Sequence, residues 1–156
     1  MEYAIENEYL IVTVTTWGAQ VKSVVRKFDD VEHMWQADKS VWGYHAPILF
    51  PHTGKVVDDL IETKGEVYQA KQHGIARLME HTLVRQTEDT IVMELRSSEE
   101  TLRIFPYAFR LVSTFTLDED TLHHKLTVEN WDADKLYFGI GYHPAFTVPF
   151  DEEHTL

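Results

Sequence analysis

The chain has 156 residues and a mass of 18.2 kDa, the size of one ordinary domain. Hydrophobic content of 44 %, aromatic content of 12 % and charged content of 26 % lie near globular averages, which excludes a disordered, collagenous or coiled-coil chain. A formal net charge of −12 repels phosphate backbones and anionic lipid surfaces, so neither nucleic acid nor a membrane is an expected partner.

No run of about 18 apolar residues occurs, and the opening Met1-Glu2-Tyr3-Ala4-Ile5-Glu6 has neither the basic patch nor the apolar stretch of a secretion signal. Zero cysteines remove disulfides, thiolate metal sites and cysteine nucleophiles together. The cytoplasm is the expected compartment.

Apolar residues alternate with polar ones along much of the chain, and none recurs at helical spacing for more than about two turns, which predicts an all-β fold. Tyr9–Thr15 and Ala19–Arg26 read as strands around Thr16-Trp17-Gly18, where the glycine can supply the turn. Residues 38–71 mix Trp42, Gly43, Pro47, Pro51, Gly54 and Gly65 with short apolar pieces and have no lasting period. That stretch is predicted to be loop-rich, and loops of this length in a β domain are often functional.

Thr82–Gln86 and Thr90–Arg96 form a predicted strand pair joined around Glu88-Asp89. The clearest alternation follows, with Phe109, Leu111, Ser113, Phe115 and Leu117 on one face. Its partner places Leu122, His124, Leu126 and Val128 on one face, after the short connector Asp118-Glu119-Asp120-Thr121. A last strand is predicted over Leu136–Tyr142. The ending, Pro149 to Leu156, carries no closing turn or cap, as expected of a chain that continues.

Three places could carry chemistry. In Gln72-His73-Gly74-Ile75-Ala76-Arg77 the glycine permits close approach of backbone or ligand, and Arg77 offers a planar set of donors. A turn with a surface histidine is the plainer reading of the same residues. On the last strand, Gly139, Gly141 and His143 share one face, bare except for the histidine. Either a ligand or another packed element fills such a face. The third place is the aromatic run Trp42 to Lys55, whose rings could stack on a sugar's C–H face beside hydrogen-bond donors, or could simply be core.

Nine histidines invite a metal reading, but there is no His-x-x-x-His or His-x-His, and His123 and His124 point to opposite faces of a strand. No metal site is predicted. Nor is there a Gly-x-Ser-x-Gly nucleophile elbow or a glycine-rich phosphate loop.

Taken in order, WGYHAPILFPHTGK, QHGIARLMEH, FPYAFRLVSTFTLDEDTLHHKLTVEN and GYHPAF resemble the aldose 1-epimerase (galactose mutarotase-like) family, more narrowly its LacX-like branch. The resemblance runs over essentially the whole chain. It implies an antiparallel β-supersandwich about twice this length, of which residues 1–156 would be the N-terminal portion, a single domain. An amputated sandwich would expose sheet edges that favour self-association, so a homo-oligomer is a possible state.

The activity implied is interconversion of the α and β anomers of an aldose by acid/base ring opening and closure, without a cofactor. A non-catalytic sugar-binding or sugar-sensing protein of the same fold is the alternative. By resemblance His143 would be the general acid, His73 would bind and orient the sugar, and Arg77 would be a substrate-side donor. Trp42 and Phe50 would supply aromatic surface. Lys55 stands where the family commonly has arginine, and lysine cannot form the bidentate fork. The family's base, a glutamate, comes from the other half, and neither Glu80 nor Glu153 lies in a matching motif.

Overall fold

A computed structural model describes residues 1–148. Four strands, β1 (Glu2–Glu6), β2 (Leu10–Thr15), β3 (Gln20–Arg26) and β4 (Val31–Glu32), form one antiparallel sheet in chain order. A two-residue strand β5 (Ile48–Leu49) and the hairpin β6 (Leu60–Thr63) and β7 (Glu66–Gln69) follow. The second four-stranded sheet has the order β11-β10-β9-β8, from β8 (Thr82–Gln86), β9 (Thr90–Arg96), β10 (Phe109–Asp118) and β11 (Thr121–Asn130). One helical turn, α1 (Glu99–Leu102), separates β9 from β10, and β12 (Gly141–Tyr142) returns to pair with β5.

Period-two alternation explains both sheets. In β2, Leu10, Val12 and Val14 are buried while Ile11, Thr13 and Thr15 are only partly so. In β10, Phe109, Leu111, Ser113, Phe115 and Leu117 all point inward, as the sequence predicts. The inward residues of the two sheets meet in one apolar core with Phe50, Phe105 and Tyr107. Both sheets are also stitched along their margin, where the Glu6 amide donates to the Glu88 carbonyl at 3.0 Å and Gln86 Nε2 donates to the Ala4 carbonyl at 2.6 Å.

Two predicted features change. Leu136–Tyr142 is not a seven-residue strand, because only Gly141–Tyr142 finds a pairing partner, the two residues of β5. Beyond that pair the Gly139 amide donates to the Pro51 carbonyl at 2.7 Å, but proline has no amide hydrogen to return the bond and the ladder stops. Tyr137, Phe138 and Ile140 consequently remain exposed in part. Conversely, the loop-rich stretch contains the hairpin β6–β7, turned by Lys64 (φ 51°) and Gly65 (φ 77°). Only Ile61, Thr63 and Tyr68 in it are half-buried and the rest is exposed, so no strong apolar period announces it. The ending from Pro149 onward lies outside the described residues.

Candidate functional site

Residues 46–50 run past the core edge with the two-residue period of extended chain. Ala46, Ile48 and Phe50 are fully buried, whereas Pro47 and Leu49 face a cleft on the other side. β12 pairs with this segment, Gly141 opposite Leu49 and Tyr142 opposite Ile48, and the His143 amide donates to the Pro47 carbonyl at 3.1 Å. His143 therefore stands at the cleft mouth by register.

The second wall is the segment 72–77, which approaches Phe50 in a parallel bridge at Gly74. His73 and Gly74 are consecutive left-handed residues, with φ of 67° and 72°. Gly74 is required here, because a Cβ would lie 2.2 Å from the Phe50 carbonyl oxygen. The close approach that its glycine permits is thus to backbone. His73 is held at both ends of its residue. Its amide donates to the Gly54 carbonyl at 2.9 Å, and its Nδ1 accepts the Gly54 amide at 3.0 Å.

That second bond fixes the tautomer. With Nδ1 accepting, the proton of the neutral ring sits on Nε2, which makes His73 a hydrogen-bond donor. Burial pushes its pKa below the usual histidine value, and the neighbouring charges of Arg77, His143 and His52 push it the same way. A neutral donor is the result.

Arg77 follows one helical turn later. Its Nη2 donates to the Gln72 carbonyl at 2.9 Å, and its guanidinium carbon lies 4.9 Å from the centre of the Tyr44 ring. Trp42 closes the third side, with its ring centre 5.0 Å from that of His143 and 5.7 Å from that of Tyr44. The imidazole centres of His73 and His143 are 6.5 Å apart. A hydroxyl oxygen about 4 Å from each ring centre is within reach of both.

The cleft so formed has a volume of about 260 Å³ and is lined by Trp42, Pro47, Leu49, His73, Arg77 and His143, with Gln72 at the rim. Among the described residues no carboxylate lines it, a local exception in a chain of charge −12. Two hollows of about 750 Å³ elsewhere are larger; one has no histidine, and the other has a single histidine, His33, with Arg26, so neither pairs two imidazoles. No group of three His, Cys, Asp or Glu that could hold a metal ion occurs among the described residues.

Two residues expected in the site are elsewhere. Phe50 has 0 % exposure and packs against Phe105, Phe109 and Phe138, because it shares the inward parity of Ile48. Lys55 is exposed, outside the cleft lining, with Nζ 3.7 Å from Asp59. Gly54, with φ of 82°, turns the chain there, and its backbone rather than the following side chain serves His73. The glycine face is filled by protein: a Cβ on Gly141 would meet Thr53 Cγ2 at 2.9 Å, and one on Gly139 would meet His52 Cα at 3.7 Å. Glu80 lies apart from the cleft, accepting from Thr16 Oγ1 at 2.5 Å, and Glu153 is outside the described residues.

Sequence reasoning missed Pro47 and Leu49, which the alternation of Ala46, Ile48 and Phe50 could have revealed. It also missed Gln20, buried in the first sheet, whose Oε1 accepts the amides of His45 and Ala46 at 3.2 Å each. Gln20→Leu is expected to leave both amides unsatisfied and to lower stability by about 2 kcal/mol, read from urea unfolding. An unchanged midpoint would show that another acceptor takes those amides.

A family model described as Aldose 1-epimerase matches residues 1–156. Protein LacX of Lactococcus lactis subsp. lactis is 33 % identical over 159 residues, covering 97 % of this chain and 52 % of its own length. The chain superposes on a galactose mutarotase related enzyme from Lactobacillus acidophilus with a TM-score of 0.96 and 35 % identity, over 99 % of this chain and 52 % of that one. A galactose mutarotase-like protein from Lactobacillus casei gives 0.94 and 33 %, over 98 % and 52 %. The chain thus spans about half the length of the relatives it matches.

Proposed function

The chain belongs to the aldose 1-epimerase family, and from that premise we propose that the cleft holds the anomeric end of a hexose and supplies the acid side of its ring opening. The observation that carries this reading is the pair of imidazoles, 6.5 Å apart, facing a cleft walled by Trp42 and, among the described residues, free of carboxylates. A volume of about 260 Å³ sits just below the roughly 300–1,000 Å³ of pockets for drug-sized ligands, the scale of a monosaccharide.

Ring opening needs a proton delivered to the ring oxygen as the C1–O bond breaks, and a base that takes the proton of the anomeric hydroxyl. His143 is the general acid in this reading, since it stands at the mouth and is free to exchange protons with solvent. His73 remains neutral and donates its Nε2–H to a sugar oxygen, holding C1 and the ring oxygen in place. Arg77, preorganised by Gln72 and Tyr44, binds a substituent remote from C1. Rotation about C1–C2 followed by reclosure gives the other anomer, with the protons returned.

The base is the missing partner. Among the described residues no carboxylate lines the cleft to accept the anomeric proton, and in this reading sequence corresponding to the other half of the relatives' length supplies the base. A polypeptide of that full length is expected to speed polarimetric equilibration of fresh α-D-galactose, and His143→Ala to slow it by about 10²- to 10⁴-fold. An unchanged rate in the variant sinks the acid assignment. The carboxylate-free cleft also favours a second reading for the 156 residues themselves, sugar binding without turnover. Calorimetry showing binding, with polarimetry showing no acceleration, is the result that supports it.

A further inference from the structure

We propose that Trp35, which lines no part of the cleft, is the positioning residue that holds Trp42 against His143; the inference rests on the reading of this cleft as a sugar site. Trp42 is carried by the turn 38–44, whose backbone bonds are internal: the Val41 and Trp42 amides both donate to the Asp38 carbonyl. Among the described residues one hydrogen bond ties this turn to the rest of the protein, from Trp35 Nε1–H to the Trp42 carbonyl at 2.8 Å.

Trp35 is itself bound to the segment that carries His143. Its amide donates to the Ala145 carbonyl at 3.0 Å, and its carbonyl accepts His45 Nδ1–H at 2.8 Å. The Ala145 amide in turn donates to the His45 carbonyl at 2.9 Å. On either side the contact is extended, by the Met34 and Phe146 bridge and by Thr147, whose hydroxyl donates to the Met34 carbonyl at 3.1 Å. One residue therefore references the aromatic wall and the imidazole to each other. A sugar face that stacks on Trp42 while its oxygens meet His143 needs that distance fixed before it arrives, because ordering a loop on binding costs affinity.

The test reads the distance directly. The Cε1–H resonance of His143 feels the ring current of Trp42, whose ring centre is 5.0 Å away, so Trp42→Ala gives the reference position without it. Trp35→Phe keeps the main-chain bonds and removes the indole donor. The expected result is a His143 resonance moved at least halfway towards the Trp42→Ala position, with the amide shifts of β9 to β11 unmoved. A folded Trp35→Phe with His143 at its parental position overturns the proposal.

A second measurement needs no variant. The Trp35 indole proton is expected to exchange with D₂O at least about tenfold more slowly than that of Trp17, which is 50 % exposed; equal rates overturn the proposal. D-galactose is expected to bind Trp35→Phe about tenfold more weakly. Failure of the parental protein to bind D-galactose counts against the sugar reading, while the ring-current result still decides the role of Trp35.

Discussion

Replacing Gly74 with alanine is expected to cost the fold roughly 4 kcal/mol, and with it the geometry of the cleft. Two effects add. An alanine held at φ of 72° costs about 1–3 kcal/mol on its own. The new Cβ would then sit 2.2 Å from the Phe50 carbonyl oxygen and 2.5 Å from its carbon, far inside contact distance. That carbonyl cannot swing aside freely, since it accepts the amides of Ile75 at 2.8 Å and Ala76 at 3.2 Å. Moving it strands one or both amides at about 1–3 kcal/mol each.

Against the 5–15 kcal/mol of a typical domain, such a loss is large. Urea unfolding monitored by tryptophan fluorescence measures it. A variant within about 1 kcal/mol of the parent would show that the Phe50 carbonyl relaxes at little cost. His73, bonded through Gly54 to the neighbouring turn, is expected to lose its fixed ring orientation in the same variant.

Acid is expected to destabilise the protein first through two buried histidines. His81 is 1 % exposed; its Nε2–H donates to the Ala76 carbonyl at 3.1 Å and its Nδ1 has no partner. His124 is stacked on Phe115, with ring centres 4.2 Å apart, and edge-on to Tyr142 at 4.7 Å, and its Nε2 has no partner. Protonating either ring places a charge and an N–H where nothing receives them. Burial holds both near a pKa of about 4, against about 6.5 in an unfolded chain.

The folded pKa is the lower one, so the unfolded chain binds more protons between those values and stability rises with pH there. The contribution is complete above about pH 6.5 and is lost as pH falls towards about 4. Each histidine is worth roughly 3 kcal/mol across that window. His124→Phe preserves the aromatic stack, and it is expected to reduce the slope of unfolding free energy against pH near pH 5 by about one proton, roughly 1.4 kcal/mol per pH unit. An unaltered slope would show that His124 already reaches solvent. Asp132 acts in a separate window. The Asp134 and Ala108 amides and then Lys64 hold it at about 2, so its share disappears only below about pH 4.

How much of the site could be read from sequence depended on the kind of signal. His73 and His143 were singled out because glycine and proline beside a histidine are uncommon within an ordinary strand, and Arg77 because it sits one turn beyond; the structure brings the three to one cleft. Phe50 was misplaced because an aromatic residue near a candidate site carries no statement of direction. The parity it shares with Ile48 does, and it points into the core. Lys55 was misplaced for a related reason: Gly54 turns the chain before the lysine, and a turn's direction is not encoded in the identity of the next residue.

Trp35 and Gln20 gave no signal. Each acts through a hydrogen bond to a carbonyl or amide distant from its own strand neighbours, and such partners exist only after folding. The strand over Leu136–Tyr142 fails on the same ground, because a strand is a relation between two segments and only Gly141 and Tyr142 have a partner.

By itself the sequence determined what is local and periodic: strands β2, β3 and β8 to β11 but not the edge strands β1 and β4, the inward residues of β10, and the hairpin between β10 and β11. Side-chain direction along an extended chain repeats every two residues, so those features need no knowledge of distant neighbours. Tertiary structure alone decided which residues share the cleft, which tautomer His73 adopts, and what fixes Trp42 against His143. These depend on contacts between segments as far apart as Gly54 and His73, 19 residues, or Met34 and Phe146, 112 residues. Their energies come from register and burial, which no single segment carries.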